Sequence, residues 1–374
     1  MESNNNSDVI ELSHKEFLRI DRDYEKAAKV ASLVYVKLDS KGIARIKKGK
    51  GFTYIYDDKP LTGKDQIERI RKLAIPPAWT NVWICPLANG HIQATGLDMR
   101  QRKQYRYHPL WNALRDETKF HRLYEFGKAL PKIRARVEED YKKKELCQEK
   151  VLALVVSLME RTYIRIGNSG YEKMYGSYGL TTLKDKHVAV EGSLIRFCFK
   201  GKKGIDHEVT IRNKKLANTI LACRDIPGKE LFQYFDDDGN RKSIDSGMVN
   251  QYIKEAAGGM EFTAKDFRTW AGSLNMLWAF KSIGEAMSAT DSKKKIVEAL
   301  DKVSKKLGNT RTVCKKYYVH PGLLKLYEEN SLKQYTDKLD EIEDPKIAGE
   351  LTSSEEILMK VLRNLQSNQH TLSL

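Results

Sequence analysis

No apolar run in this 374-residue chain approaches the roughly 18 residues that a membrane-spanning helix needs. The first residues, MESNNNSDVIELSHKEF, are polar and lack the apolar segment of a secretory leader. Cysteine is sparse. Cys85, Cys147, Cys198, Cys223 and Cys314 are scattered, odd in number and without a close pair, which argues against a disulfide framework and against a cysteine-rich zinc site. The eight histidines show no HExxH or comparable metal-ligand spacing. KKGKGF (47–52) does not complete a GxxxxGK(S/T) phosphate loop, and no serine sits in a GxSxG elbow. DDDGN (236–240) opens like a calcium loop, but loop position six falls on Arg241 and position twelve on Gly247, so it reads as a hairpin turn. Together these absences predict a soluble, intracellular protein with neither a nucleotide pocket nor an obligatory metal.

What the chain has in excess is positive charge. Sixty-six Lys and Arg face 50 Asp and Glu, a net charge of +16. Such an excess attracts polyanions at long range, nucleic acid being the usual one. At 43.0 kDa the chain exceeds a single core, so two domains are expected. Residues 1–9 are polar and aperiodic and read as disordered. HKEFLRIDRDYEKAAKVASLV (14–34) reads as a helix closing an N-terminal extension, 1–34. From 35 to 110, short alternating runs end in Gly, Asp and Pro, and Asn89-Gly90 is a hairpin signal, so this is a small domain rich in strands. From 111 to 374 helical periodicity dominates. Two or three strands interrupt it around HVAVEGSLIRFCFKGKKGIDHEVTI, with a turn at Gly201–Gly204. Thr352-Ser353-Ser354-Glu355 is a capping-box start for the last helix. The fold class is therefore α+β: a sheet-rich N-terminal domain, then a larger, mainly helical one carrying a small sheet.

The residues left to carry chemistry are cationic groups and phenols. A nucleophile attacking a phosphodiester builds a highly charged phosphorane, which arginine forks can meet without a metal. The leaving alkoxide needs a general acid. A tyrosine nucleophile, with a pKa of about 10, needs a strongly positive neighbourhood. Four runs contain these parts: RTYIRIGNSGYEKMYGSYGLTTLKDKHV (161–188), FKGKKGIDHEV (199–209), FTAKDFRTWAGSLN (262–275) and LGNTRTVCKKYYVHP (307–321). In this order they resemble the successive motifs of type IB DNA topoisomerases, in the small bacterial and poxvirus branch. GHIQATGLDMRQRKQYRYHP (90–109) resembles that branch's DNA-clamping domain, and the likeness covers about residues 35 to 330.

The resemblance implies a C-shaped clamp on DNA and a division of labour within it. Arg165 and Arg268 match the two catalytic arginines, and Lys202, directly after the glycine of FKGKKG, matches the general-acid lysine. Tyr318, preceding an aliphatic residue and His-Pro, matches the nucleophile. Tyr317 lies about 100° away around a helix and is assigned to packing or to a DNA-facing role. Asn309 stands where poxvirus enzymes have a histidine that donates to a phosphate oxygen; as a neutral amide it is the weaker donor. Lys265 is expected to assist Lys202 and to contact DNA. Gln104, Tyr105, Tyr107 and Tyr171 match DNA contacts, whereas Asn168 replaces a poxvirus lysine, so the poxvirus cleavage-site preference is not carried over.

The implied reaction is ATP-independent relaxation of supercoiled DNA through a 3′-phosphotyrosyl intermediate. The implied partner is double-stranded, preferentially supercoiled DNA, bound by a monomer with no membrane attachment. No cofactor is implied, and Mg2+ is a possible stimulant rather than a requirement. The implied location is intracellular and DNA-associated, in a bacterial cytoplasm and nucleoid or in a virus particle and viral factory. Two other readings stay open. A tyrosine recombinase also runs Arg, Lys, Arg, Tyr, although it typically has HxxR where Lys265 here gives KxxR. A non-catalytic DNA-binding protein would share the charge. Taken singly, each of these residues reads as a solvated or packing group; the joint pattern is what points to catalysis.

Overall fold

Alternating residues between Ile43 and Tyr107 build an antiparallel sheet. The computed structural model describes residues 9–11, 16, 19–21, 23–49, 51–99, 101–339, 349–368 and 371–373. Strand β1 (Val9–Glu11) pairs antiparallel with the last strand, Thr371–Ser373, so the chain ends in a strand rather than the helix its sequence suggests. Residues 1–8 of the expected disordered start lie outside the described residues. Of the helix expected over 14–34, the described residues show α1 at Tyr24–Val30, started by the Asp23 carboxylate accepting from Lys26 N at 3.0 Å. Residues 14, 15, 17, 18 and 22 of that expectation lie outside the described residues.

The sheet comprises β2 (Ile43–Lys48), β3 (Gly51–Tyr56), β4 (Lys59–Pro60), β5 (Thr80–Ile84), β6 (Ile92–Leu97) and β7 (Lys103–Tyr107), in the order β4-β3-β2-β5-β6-β7. Ile43, Val82, Ile84 and Ala94 form its core with Ile70 of α2 (Lys64–Lys72). Sequence texture shows only strands here, because α2 (KDQIERIRK) has just two apolar residues, too few for a visible helical stripe. Asn89-Gly90 does lie between β5 and β6, but in a longer connection than a two-residue hairpin. The Gln93 amide ties that connection by donating to the carbonyls of Leu87, Ala88 and Gly90.

The chain divides into two compact units, residues 1–122 with 366–374, and residues 123–365. The second unit is mainly helical. Helix α3 (Pro109–Tyr141) runs into it and α4 (Gln148–Thr162) forms its centre, with Val151 to Val156, Leu158 and Met159 all buried. After α5 (Ser169–Tyr175) come β8 (Val188–Glu191), β9 (Leu194–Lys200) and β10 (Asp206–Arg212), an antiparallel sheet ordered β10-β9-β8. Ile195, Phe197 and Phe199 of β9 enter the core at every second position, as a half-buried strand requires. Then follow α6 (Lys214–Arg224), the hairpin β11 (Gln233–Phe235) and β12 (Arg241–Ser243), whose turn carries DDDGN, and α7 (Ser246–Ala256).

Two of the four motif runs, 262–275 and 307–321, fall on the elements that come next: α8 (Ala264–Ile283), α9 (Ala289–Leu307), α10 (Arg311–Tyr317) and α11 (Pro321–Glu328). After the short α12 (Lys333–Thr336), α13 (Ser353–Asn368) starts with the expected capping box: Glu355 N donates to Thr352 Oγ1 at 3.4 Å and Thr352 N to Glu355 Oε2 at 3.0 Å. Glu355 is itself 1% exposed and accepts from Arg134 of α3 and, at 3.1 Å, from the Trp270 indole of α8. No helix among the described residues is long and apolar enough to cross a membrane.

Candidate active site

Helix α8 is started by a capping box in which Thr263 N donates to Asp266 Oδ2 at 2.8 Å. Arg268 follows in the next turn and is only 5% exposed. Its guanidinium is held by the ends of two other helices. Nη2 donates to Leu307 O, the last residue of α9, at 2.8 Å, and Nη1 donates to Tyr163 O just past α4. Helix C-termini carry unsatisfied carbonyls and partial negative charge, so they suit a buried cation. Its Nε is buried and has no partner among the described residues, a donor left over for a ligand.

Tyr163 adopts a left-handed backbone (φ 56°), which stops α4 and turns the chain toward Arg165. A non-glycine residue held there costs about 1–2 kcal/mol, and such strain tends to collect at functional sites. Leu180 N donates to Arg165 O at 2.9 Å and so fixes the Arg165 backbone. The Arg165 guanidinium reaches Gly308 O at 3.3 Å and Asn309 Oδ1. With that oxygen occupied, the Asn309 Nδ2 group is the end free to donate further, one of its hydrogens being directed at Leu307 O at 3.4 Å.

Tyr318 is the C-cap just past α10 and is partly buried. The Arg268 Cζ lies 4.9 Å from its ring centroid. Burial pushes the phenol up, but the charges and N–H groups of Arg268 and then Arg165 outweigh it and hold the pKa below the usual value of 10.0. Burial, then Arg165, lowers the pKa of Arg268 itself. The backbone at Tyr318 is clamped onto α8. Ser273 Oγ donates to Tyr318 O at 3.5 Å and accepts from His320 N at 3.1 Å, and His320 Nδ1 caps α11. The approach is close enough that a methyl built on Gly272 would lie 2.3 Å from Tyr318 O. Arg268, Gly272 and Ser273 thus share the face of α8 that meets the tyrosine. Tyr317, by contrast, is 38% exposed, with the Lys316 ammonium 5.4 Å from its ring. Cys314 is fully buried, which pushes its thiol up to about 11.

The structure therefore gathers four of the residues singled out from sequence, Arg165, Arg268, Asn309 and Tyr318. Lys202 is not held among them. It is exposed in the short turn between β9 and β10, and among the described residues it makes no ion pair or side-chain hydrogen bond. Lys265 is exposed one turn before Arg268. Tyr171 is 44% exposed on α5 and stacks on Tyr175 with centroids 5.8 Å apart. Asn168 caps α5, accepting from Gly170 N at 2.9 Å. In the first unit, Tyr105 and Tyr107 stack at 5.9 Å on β7, an edge strand, and so share one face, while the Gln104 amide donates to Asp98 at 2.9 Å.

Sequence reasoning missed His207. It sits opposite Phe199 in the β9–β10 pairing, stacked on that ring at 5.0 Å and nearly parallel. A cleft of about 550 Å³ opens between β10 and the end of α9, with His207, Gly308 and Asn309 on its wall. Screening histidines for metal spacing could not find it; its alternation with Phe199 across the GKKG turn was the available signal. As a whole, the site can hold an anionic phosphoryl group against two guanidiniums and an acidified phenol.

Comparison with known proteins gives the same direction. The family described as eukaryotic DNA topoisomerase I, catalytic core, matches residues 103–345, and that described as bacterial DNA topoisomerase IB, N-terminal domain, matches residues 51–98. The chain is 38% identical over 298 residues to a DNA topoisomerase 1B of Acanthamoeba polyphaga mimivirus, covering 77% of this chain and 88% of the relative. It is 24% identical over 249 residues to a DNA topoisomerase I of monkeypox virus, covering 65% and 74%. Against a Drosophila melanogaster DNA topoisomerase 1 the likeness is 26% over 167 residues, or 42% of this chain and 16% of the relative.

Proposed function

The chain belongs to the type IB DNA topoisomerase family, and from that premise we infer that it relaxes supercoiled DNA without ATP, by transient cleavage of one strand through a 3′-phosphotyrosyl intermediate. We propose Tyr318 as the nucleophile. Its oxygen attacks a backbone phosphorus, the bond to the 5′ oxygen breaks, and the tyrosine becomes esterified to the 3′ phosphate. Strand rotation releases torsion, and the free 5′ hydroxyl attacks back to reseal the strand and free the phenol. The phosphodiester energy is kept in the tyrosyl ester, so no nucleotide is consumed.

In this reading Arg165, Arg268 and Asn309 hold the non-bridging oxygens, where charge builds in the transition state. Lys202, assisted by Lys265, protonates the departing 5′ oxygen. Because Lys202 rests in an exposed turn, its entry into the site belongs to the DNA-bound state. Tyr171, Gln104, Tyr105 and Tyr107 contact the duplex, the last three from the 35–110 region, which with the helical region forms the clamp. The enzyme acts as a monomer, prefers supercoiled substrate, needs no metal, with Mg2+ at most stimulatory, and works where DNA is held in the cell or virus.

The observation that carries the reading is the phenol of Tyr318, drawn below its ordinary pKa beside two guanidiniums. Relaxation of a plasmid in EDTA without ATP tests it. The wild-type protein should relax every topoisomer, and Tyr318→Phe should bind DNA yet relax none. Relaxation by that variant would remove the mechanism.

A further inference from the structure

The ring of His207 fills two gaps at once. On one edge, a methyl built on Gly201 would lie 2.5 Å from Cδ2 and 2.6 Å from Nε2. On the opposite edge, a methyl built on Gly308 would lie 2.3 Å from Cε1 and 3.0 Å from Nδ1. Such distances mean that the ring packs directly on both backbones. The parallel stack on Phe199, itself 7% exposed, fixes the plane of the ring.

Gly201 and Gly308 are the residues immediately before Lys202 and Asn309. Gly201 N donates to Ile205 O at 2.7 Å and closes the turn that carries Lys202. Gly308 O accepts from Arg165, and Asn309 Oδ1 accepts from the same guanidinium. One imidazole therefore separates the general-acid turn from the group that holds the phosphate. Burial, then the charges of Arg165 and Arg268, lower its pKa, while Asp206 raises it less, so the ring rests neutral beside two cations.

We propose that His207 is a positioning residue, a wedge that sets the distance between the Lys202 turn and the Arg165–Asn309 pair and so governs protonation of the departing 5′ oxygen. The proposal rests on Lys202 being the general acid. It requires shape rather than charge: a flat ring of similar size keeps the spacing, and a methyl side chain lets the turn collapse or drift.

The test compares His207→Ala, His207→Phe and Lys202→Ala in single-turnover cleavage of two duplexes. One carries the ordinary phosphodiester. The other carries sulfur in place of the bridging 5′ oxygen, and a thiolate leaves without a proton. Lys202→Ala should lose about 10²–10⁴-fold on the ordinary ester, the range for a general acid, and recover on the thiolate substrate. His207→Ala should lose about tenfold or more on the ester and recover likewise, with duplex affinity unchanged, while His207→Phe stays near wild type; a tenfold loss corresponds to about 1.4 kcal/mol. If Lys202→Ala recovers but His207→Ala is equally slow on both substrates, or is not slow on the ester, the wedge is wrong and the Lys202 assignment survives. If His207→Phe is as slow as His207→Ala, shape is not what matters and the proposal falls. If Lys202→Ala itself fails to recover, the general-acid reading beneath the proposal is the one refuted.

Discussion

Gly272→Ala is a substitution whose sign has to be decided by magnitude. In a helix interior, alanine is favoured over glycine by about 0.8–1.0 kcal/mol, so propensity alone predicts a more stable protein. The tertiary contact predicts the reverse. The new methyl would meet Tyr318 O at 2.3 Å and the Tyr318 carbonyl carbon and Cβ at 2.9 Å, against ordinary carbon contacts of about 3.5–4.0 Å. These are backbone and near-backbone atoms that no rotamer change can move aside. Overpacking of this kind costs about 1–3 kcal/mol, so after the propensity gain the net effect is a loss of up to about 2 kcal/mol, or a melting temperature lower by up to about 8 °C. The larger effect falls on chemistry. Relieving the clash moves the Tyr318 backbone by about 1 Å relative to Arg268, and misplacement of that size costs about 10²-fold in rate. Single-turnover formation of the covalent adduct on a nicked duplex, read beside a thermal melt and a binding titration, separates the two. The expected result is slow cleavage, nearly normal DNA affinity and modest destabilisation. A variant that is more stable and cleaves at the wild-type rate would refute the claim that α8 sets the position of the tyrosine.

Other expectations follow from the same contacts. Arg268→Ala removes the charge and N–H groups that lower the Tyr318 phenol most, so its pKa rises; a titration of 13Cζ-labelled tyrosine should show its midpoint move to higher pH, and an unmoved midpoint would contradict the electrostatic account. Glu355→Ala strips the Arg134 cation of one of its two carboxylates and leaves the Trp270 N–H unpaired, at a cost of about 3 kcal/mol or more. Denaturant melts of that variant should show this loss, with Glu355→Gln falling between it and wild type. Tyr105→Ala with Tyr107→Ala should weaken duplex binding and leave single-turnover cleavage at saturating DNA unchanged; a cleavage defect at saturation would place these rings elsewhere in the mechanism.

Local rules made much of this molecule legible. LIRFCFK alternates strictly and becomes β9 with Ile195, Phe197 and Phe199 inward. TSSE signals a capping box, and Thr352 and Glu355 form one. The choice of Tyr318 over Tyr317 rests on the resemblance, in which the tyrosine precedes an aliphatic residue and His-Pro; the two rings face different surroundings. What stayed hidden depends on residues distant in sequence. Nothing near Gly272 announces that a tyrosine carbonyl lies against it, and nothing near His207 announces Gly308. The helix α2 was masked for a different reason: its charged residues leave too little apolar periodicity for its length. Lys202 shows the converse. The run that carries it matches the family motif, yet its turn is exposed and outside the cluster of Arg165, Arg268, Asn309 and Tyr318.

The central claim is that the phenol of Tyr318, acidified by Arg165 and Arg268, attacks DNA. Denaturing the protein during reaction with plasmid, digesting the trapped adduct and sequencing the nucleotide-bearing peptide by mass spectrometry tests it directly. The account predicts one modified residue, Tyr318, in the segment KKYYVHP; a nucleotide on Tyr317, or no adduct from protein that relaxes the plasmid, would contradict it.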